Sequence, residues 1–497
     1  MTTKSGASYF ILSKQKSMLG TLLTANNILL SRLANDKIRN VKDYELTHNT
    51  FISTGSKPGI NMLYDYYATP LTSGNFILND NNELVFSLPT VGQQFINDIV
   101  INLELTAFGT PGSTTLYRYA DWPGVKMFKE TRFIYDNLEI DMYTPEDVMF
   151  DRQYRIPLEN RTQWDSGMGQ ARPRQAKIYN PDYQVEQVVT IIDGPQTFKS
   201  VQPALTMWIK LNFDFNYQIK NAFYVRPGVG GRREIRLSLA NLATFFFKQM
   251  PDGTISGATV GPSIQKAVMY TQNIYTTPDF YDYYLDTITY IITRTYQDMS
   301  RTITNANDTL KLDGLRYPTE SIRFGFRPLE NKNSPDKWYR YTKCNKRTIP
   351  YPMSQINPAD PAGPAMLVRL PAEYYMETAQ IDTIYFSVRG DYFLYPELPL
   401  GFFTRYISVR YGIDIASEDF GSGTITFNVK GTEGNDNNGF LDLSTGEPLI
   451  AKWTSKTQTI TPNSPTELFL SARCLRILLL PRNSPVIFQP HSIITTI

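Results

Sequence analysis

Thiols and imidazoles are scarce in this chain: two cysteines, Cys344 and Cys474, and two histidines, His48 and His491, in 497 residues. A secreted β protein of this size usually carries a disulfide framework, so the cysteine count argues for free thiols in a reducing compartment. Neither cysteine has another cysteine or a histidine close by in sequence, which argues against zinc. The histidines stand near opposite ends, so a Ser-His-Asp or Cys-His arrangement would need distant residues brought together. We therefore assign no catalytic residue, no cofactor and no metal, and expect no enzyme.

Charge of one sign is missing as well. Lys and Arg number 49 against 47 Asp and Glu, a net charge of +2, which gives no electrostatic footprint for wrapping nucleic acid. The local group Arg232, Arg233 and Arg236 reads as the solvent side of a strand. No uninterrupted apolar run approaches the roughly 20 residues that span a bilayer. The first nine residues lack the basic-then-apolar layout of a signal peptide. The expectation is a soluble cytosolic product whose sequons, at Asn160 and Asn307, stay unmodified. The glycines Gly228, Gly230 and Gly231 lack the Lys-Ser/Thr that would make a phosphate loop and read as a turn.

What the chain does have is aromatic residues, with 32 Tyr, 28 Phe and 5 Trp, together with 32 Pro and 30 Gly. Tyr and Phe suit half-buried pleated surfaces, while Pro and Gly supply turns and edge breakers. From Phe51 onward the pattern is that of strands: residues 84–88 before Pro89, then 99–105, 208–215 and 235–239, several with alternating apolar positions. Residues 287–292, 322–326, 384–388, 424–429 and 475–480 continue it. Between them lie long polar stretches at 109–120, 159–197, 331–365 and 431–465, of a length that is usually functional or partner-facing. Residues 1–45 differ. Leu19, Leu22, Leu23, Ile28, Leu29, Leu30 and Leu33 give a loose helical stripe, read as one or two short helices. That segment is either an arm that docks on a neighbour or a membrane surface, or a piece folded back on its own domain.

The chain also repeats itself. Residues 86–101 and 274–288 each show a strand, a proline and an acidic residue (Asp98, Asp286) opening a longer strand. The pairing of Asp98 with Asp286 suggests a structural role such as strand capping. In the same order, residues 130–135, 143–146 and 150–154 resemble residues 382–386, 395–397 and 403–406. Two copies of one β domain follow, divided near 241–254, where the pattern stops and Pro251-Asp252-Gly253 signals a turn. The expected division is an arm at 1–45, a first sandwich at 46–245 and a second at 246–497. Each is an eight-stranded sandwich with long end loops, the jelly-roll layout.

Several segments resemble the major capsid proteins of nucleocytoplasmic large DNA viruses, the asfarvirus type above all. They include residues 28–42, with Leu30-Ser31-Arg32-Leu33, and Pro123-Gly124 followed by Phe128 and Arg132-Phe133. Residues 203–211, 279–292, 402–411 and 424–430 complete the set, in the family's order along nearly the whole chain. The resemblance implies an all-β double jelly roll that forms pseudo-hexagonal homotrimers. These capsomers would tile an icosahedral shell in the virion capsid, the chain being made in the host cytoplasm. It implies neighbouring capsomers as partners, no direct nucleic-acid contact, and long loops forming an outer tower. The N-terminal arm would meet minor capsid proteins and an internal membrane, with Leu19, Leu22, Leu23, Leu29, Leu30 and Leu33 as its candidate docking residues.

A second reading is a tandem β-sandwich that binds or acts on carbohydrate, with aromatics such as Tyr64, Tyr66, Tyr67, Tyr281, Tyr283 and Tyr284 stacking sugars. Packing at domain or subunit contacts is the competing use of those rings. A third is a scaffold that shapes an immature particle and is then discarded. With no metal assigned, adding a chelator should leave the melting temperature unchanged. A measurable drop would reveal a site that the sequence does not show.

Overall fold

The computed structural model describes residues 62–488 except 73–76, 79–81, 90–93, 173, 181–184, 192–193, 217–221, 225–231, 277, 279–289, 356–365, 389–391, 407–420, 428–439, 444–447, 456–459 and 480–485. The N-terminal stripe, both histidines, Gly228, Gly230, Gly231 and Tyr281, Tyr283 and Tyr284 fall outside the described residues.

Sixteen strands carry the architecture. The first eight are β1 (Met62–Pro70), β2 (Glu83–Ser87), β3 (Phe95–Leu105), β4 (Phe128–Tyr135), β5 (Leu138–Tyr143), β6 (Leu205–Lys210), β7 (Arg233–Leu239) and β8 (Ile264–Thr276). The second eight are β9 (Tyr290–Ile303), β10 (Asp308–Leu312), β11 (Pro318–Pro328), β12 (Thr383–Val388), β13 (Tyr392–Pro399), β14 (Ser422–Thr426), β15 (Leu449–Thr454) and β16 (Thr466–Leu479). All pair antiparallel, in the order β1-β8-β3-β6 over β2-β7-β4-β5 in the first half. The second half has β9-β16-β11-β14 over β10-β15-β12-β13. Adding eight to every strand of the first half gives the second. This order, in which the last strand sits beside the first and successive strands change sheets except at the hairpin of the fourth and fifth, is the jelly roll, and the chain holds two.

Each sandwich has its own core. In the first, Phe133 packs edge-on to Phe215 (5.4 Å between centroids) and Phe223 (4.9 Å), and tilted against Phe213 (5.7 Å). In the second, Phe324 meets Phe386 at 5.4 Å and Phe403 at 5.5 Å, and Phe326 meets Trp453 at 5.8 Å. Such ring pairs add to the area buried, which is what holds two sheets face to face. Cys474 lies in this second core, where burial pushes its thiol up to about 12 and keeps it inert.

The structure corrects the sequence reading in several places. β8 pairs with β1 and β3, so residues 246–276 belong to the first sandwich, past the boundary drawn at 245. The turn at Pro251-Asp252-Gly253 is real, but it closes a small hairpin, Phe246–Gln249 with Ile255–Gly257, inside the β7–β8 connection. A turn signal is the same whether it separates domains or decorates a loop. The repeat of residues 130–154 in 382–406 is also real: β4 and β5 correspond to β12 and β13, and each second strand leads into a helical segment. Of the other repeat, 86–101 in 274–288, residues 274–276 end β8, and most of the rest lies outside the described residues. Asp98 sits 3.6 Å from Lys210, and Asp286 lies outside the described residues.

The expected strand at 208–215 stops at Lys210. Leu211, Phe213 and Phe215 are nonetheless all buried, carried inward by the short turn Asp214–Asn216. Arg233, expected at the solvent side, is buried over the Tyr135 ring at 5.1 Å, while Arg232 is exposed and Arg236 bonds Glu234. The long loops carry structure of their own: a hairpin of Arg174–Asn180 with Val185–Ile191, and a longer one of Thr342–Gln355 with Met366–Ala379. By contrast β4 and β5 are joined through Asp136 and Asn137, both left-handed (φ 52° and 64°), the two-residue turn that matches sheet twist.

Phe213 tests the first core. Its replacement by Ala should cost about 3–5 kcal/mol, and Phe213→Asp should abolish cooperative melting. A soluble Asp variant with an unchanged melt would refute this packing.

Candidate functional site: a buried charge network between the sandwiches

β5 ends at Tyr143, and Thr144 then starts helix α1 (Pro145–Tyr154) with a capping box. The Thr144 backbone N–H and hydroxyl donate to Asp147 Oδ2 at 2.8 and 2.9 Å. Pro145 occupies the first turn, where its missing N–H is not needed. Glu146 and Asp147 follow, in a position that suits the positive end of the helix. This helix has no wet side of the usual kind. Val148 and Met149 enter the first core, while Phe150 and Tyr154 pack on Tyr341 and Phe469 of the second sandwich. Phe150 stacks on Tyr341 at 5.2 Å, and Gly325 lies beneath Tyr341, where a Cβ would overlap the ring.

The surface under α1 is the outward face of sheet β9-β16-β11-β14. On β11, Ile322, Phe324 and Phe326 point into the core, so Ser321, Arg323, Gly325 and Arg327 point out. One row across the sheet reads Thr424, Arg323, Ser471, Asp298; the next reads Thr426, Ser321, Arg473, Tyr296. Arg323, Arg327 and Arg473 are nonetheless buried, because the first sandwich covers them.

Asp151 is the hub. Its carboxylate is 2.5 Å from Arg323 Nη1 and 3.7 Å from Arg155 Nη1, and it accepts bonds from Tyr296 Oη (2.6 Å) and Asn212 Nδ2 (2.5 Å). Asp214, from the turn after β6, pairs with Arg155 at 3.2 Å, Arg294 at 3.4 Å and Arg473. Arg294 holds Glu320 through two bonds, 2.7 and 3.0 Å. Ser471 donates to Asp147. At one edge Arg327 joins Glu467, Glu146 (3.1 Å) and the Trp338 carbonyl (2.7 Å), and Lys332 bonds Glu467 at 2.7 Å.

Burial alone would raise the Asp214 pKa, but Arg294, Arg473 and Arg155 outweigh it and take the carboxyl down to about 2. Burial opposes ionisation of Asp151 too, and Arg323, Arg155 and Arg473 drive its pKa well below the usual range. Carboxylates this well paired are fixed anions. They can fasten two domains in one relative position but are poor proton carriers.

None of these residues was singled out as a site in the sequence. A strand with apolar residues on one face and arginines on the other reads as half wet, and nothing local reveals a cover. Of the residues that were considered, Asn160 and Asn307 are exposed, with Asn307 Oδ1 accepting from Ser455 N at 3.3 Å. Cys344 lies on the hairpin strand Thr342–Gln355. Tyr64, Tyr66 and Tyr67 are exposed on β1. Among the described residues no group of three or more His, Cys, Asp or Glu is placed to hold a metal ion.

Arg323→Met should destabilise the fold by about 3–5 kcal/mol by stranding Asp151, and Asp151→Asn in the same chain should recover part of the loss. Because these carboxylates titrate below their unfolded value near 4, their stabilisation is complete above about pH 5 and fades as pH falls from 4 through 2. Denaturant unfolding at a series of pH values would show it. A flat profile, or an Arg323→Met chain as stable as the parent, would refute the lock.

No family model matches the chain. It is 22% identical over 482 residues to the hexon protein p72 of African swine fever virus (strain Badajoz 1971 Vero-adapted), spanning 76% of this chain and 74% of that one. The major capsid protein of the Warthog/Namibia isolate of that virus is similar to the same extent. Among solved structures, the Faustovirus major capsid protein superposes with a TM-score of 0.70 at 19% identity, covering 94% of this chain and 98% of that one. VP54 of PBCV-1 gives 0.58 at 12% identity, with 88% and 99% covered. The chain therefore has the double jelly-roll fold of the major capsid proteins of nucleocytoplasmic large DNA viruses, and capsid proteins of that group are its sequence relatives.

Proposed function

We propose that the chain is a major capsid protein, a structural subunit without catalytic activity that self-assembles into pseudo-hexagonal homotrimers tiling an icosahedral virion shell. The observation that carries this reading is the pair of sandwiches with one strand order, fused at a fixed angle by the buried charge network. Two similar wedges per chain and threefold closure give six, and six such units pack in a plane. The relatives' names supply the role, and neighbouring capsomers are the partners it requires.

The loops support a shell subunit. Leu105 lies opposite both Leu205 and Ile264, so the connections after β3, before β6 and before β8 gather at one end of the first sandwich. Pro328 opposite Thr466 places the long hairpin at the matching end of the second. In this reading these loops form the outer tower. Residues 1–45, with Leu19, Leu22, Leu23, Leu29, Leu30 and Leu33, reach minor capsid proteins and an internal membrane, and the chain is made in the host cytoplasm.

Light scattering with negative-stain imaging tests the proposal. The expected result is a mass about three times 56.8 kDa and a hexagonal outline; a folded chain that stays monomeric at every concentration would overturn it. Deleting residues 1–40 should leave the melting temperature intact and impair shell assembly. Loss of folding would show that this segment belongs to the core.

A further inference from the structure

The equivalence of the two sandwiches leaves one face without its counterpart. In the second, the outward face of β9-β16-β11-β14 is covered by α1, the helix that follows the fifth strand of the first. Among the described residues no helix covers the corresponding face of the first sandwich, on β1-β8-β3-β6. Its rows read Trp208, Asn102, Val268, Pro70 and Lys210, Val100, Tyr270, Ala68. β6 alternates strictly between buried and exposed residues, unlike β11, which is buried along nearly all its length. Trp208 is 50% exposed and Tyr66 55%, with Tyr270 tilted against Trp208 at 5.6 Å. Charged pairs, Lys210 with Asp98 and Lys266 with Glu104, flank these rings. An aromatic centre with a charged rim is the composition of a protein interface.

We infer that this face receives a second copy of the chain, which presents the turn Phe402–Tyr406 of its second sandwich. That turn follows the fifth strand of its own sandwich, β13, as α1 follows β5. The chemistry matches on both sides. The arginine-lined face takes the acidic helix with Glu146, Asp147 and Asp151, and the aromatic face takes an aromatic turn. In that turn Tyr406 is 52% exposed and its ring lies 5.0 Å from Phe402. The contact between copies thus repeats the contact within one copy, which is what threefold closure of six similar units needs. The inference rests on the trimeric reading above and adds which surfaces meet.

A photo-reactive benzophenone amino acid in place of Trp208 tests it in the full-length chain. Irradiation of the assembled protein should join copies to the peptide that contains Tyr406. A trimer that cross-links elsewhere, or not at all, overturns the inference and leaves the trimer standing; a folded monomer overturns both. As a second measurement, Trp208→Glu, a change at an exposed position, should keep the melting temperature and raise the concentration for half-assembly at least tenfold. Unchanged assembly would overturn the inference.

Discussion

Everything above the level of the single sandwich depends on Asp151 being held between Arg323, Arg155 and Tyr296. A jelly roll closes its own core and is indifferent to what lies beside it. Two of them on a string would hinge freely, as domains with small polar contacts do. Here the helix after β5 carries its carboxylates into a dry interface where only one arrangement satisfies them. A buried ion pair of this kind adds little net stability over an apolar contact of the same shape. Its effect is on geometry, because sliding α1 along the sheet would strand a charge.

The two equivalent faces solve different problems. The interface within the chain forms once, as the protein folds, and can tolerate buried charge because its partners are tethered at high effective concentration. A surface that must stay soluble before it finds its neighbour cannot expose a row of unpaired arginines and carboxylates without favouring many wrong contacts. Aromatic rings ringed by charge tolerate water first and burial later. On the proposed assembly, the difference between Arg323 on one sheet and Trp208 on the other follows from when each face is covered.

Much of the fold was legible. Alternation placed most of the strands, and residues 130–154 and 382–406 revealed the duplication because a β hairpin leading into a helical segment leaves a local signature. What failed was non-local. The β8 strand pairs with β1 and β3, roughly 160 to 215 residues earlier, and no sequence pattern says to which sheet an eighth strand returns. Leu211, Phe213 and Phe215 read as strand because their apolar spacing is a strand's, although in the turn Asn212 and Asn216 are buried beside them. The charge network was hidden for the same reason: Arg323 and Arg473 have the spacing of solvent-facing residues, and their cover comes from a helix more than 150 residues away in the chain.

Two connections of the first sandwich are built unequally. At one, Asp136 and Asn137 join β4 to β5 with two left-handed residues and no slack. At the other, the chain leaves after β5 for some sixty residues before β6 begins. An insertion in the tight connection would break a register, while one in the loose connection only lengthens it. Length can therefore vary after β5 while the strand registers of the sandwich stay in place. The surface that such a connection presents can thus change without the framework beneath it, and a TM-score of 0.70 at 19% identity to the Faustovirus protein fits a fold kept while its sequence drifts.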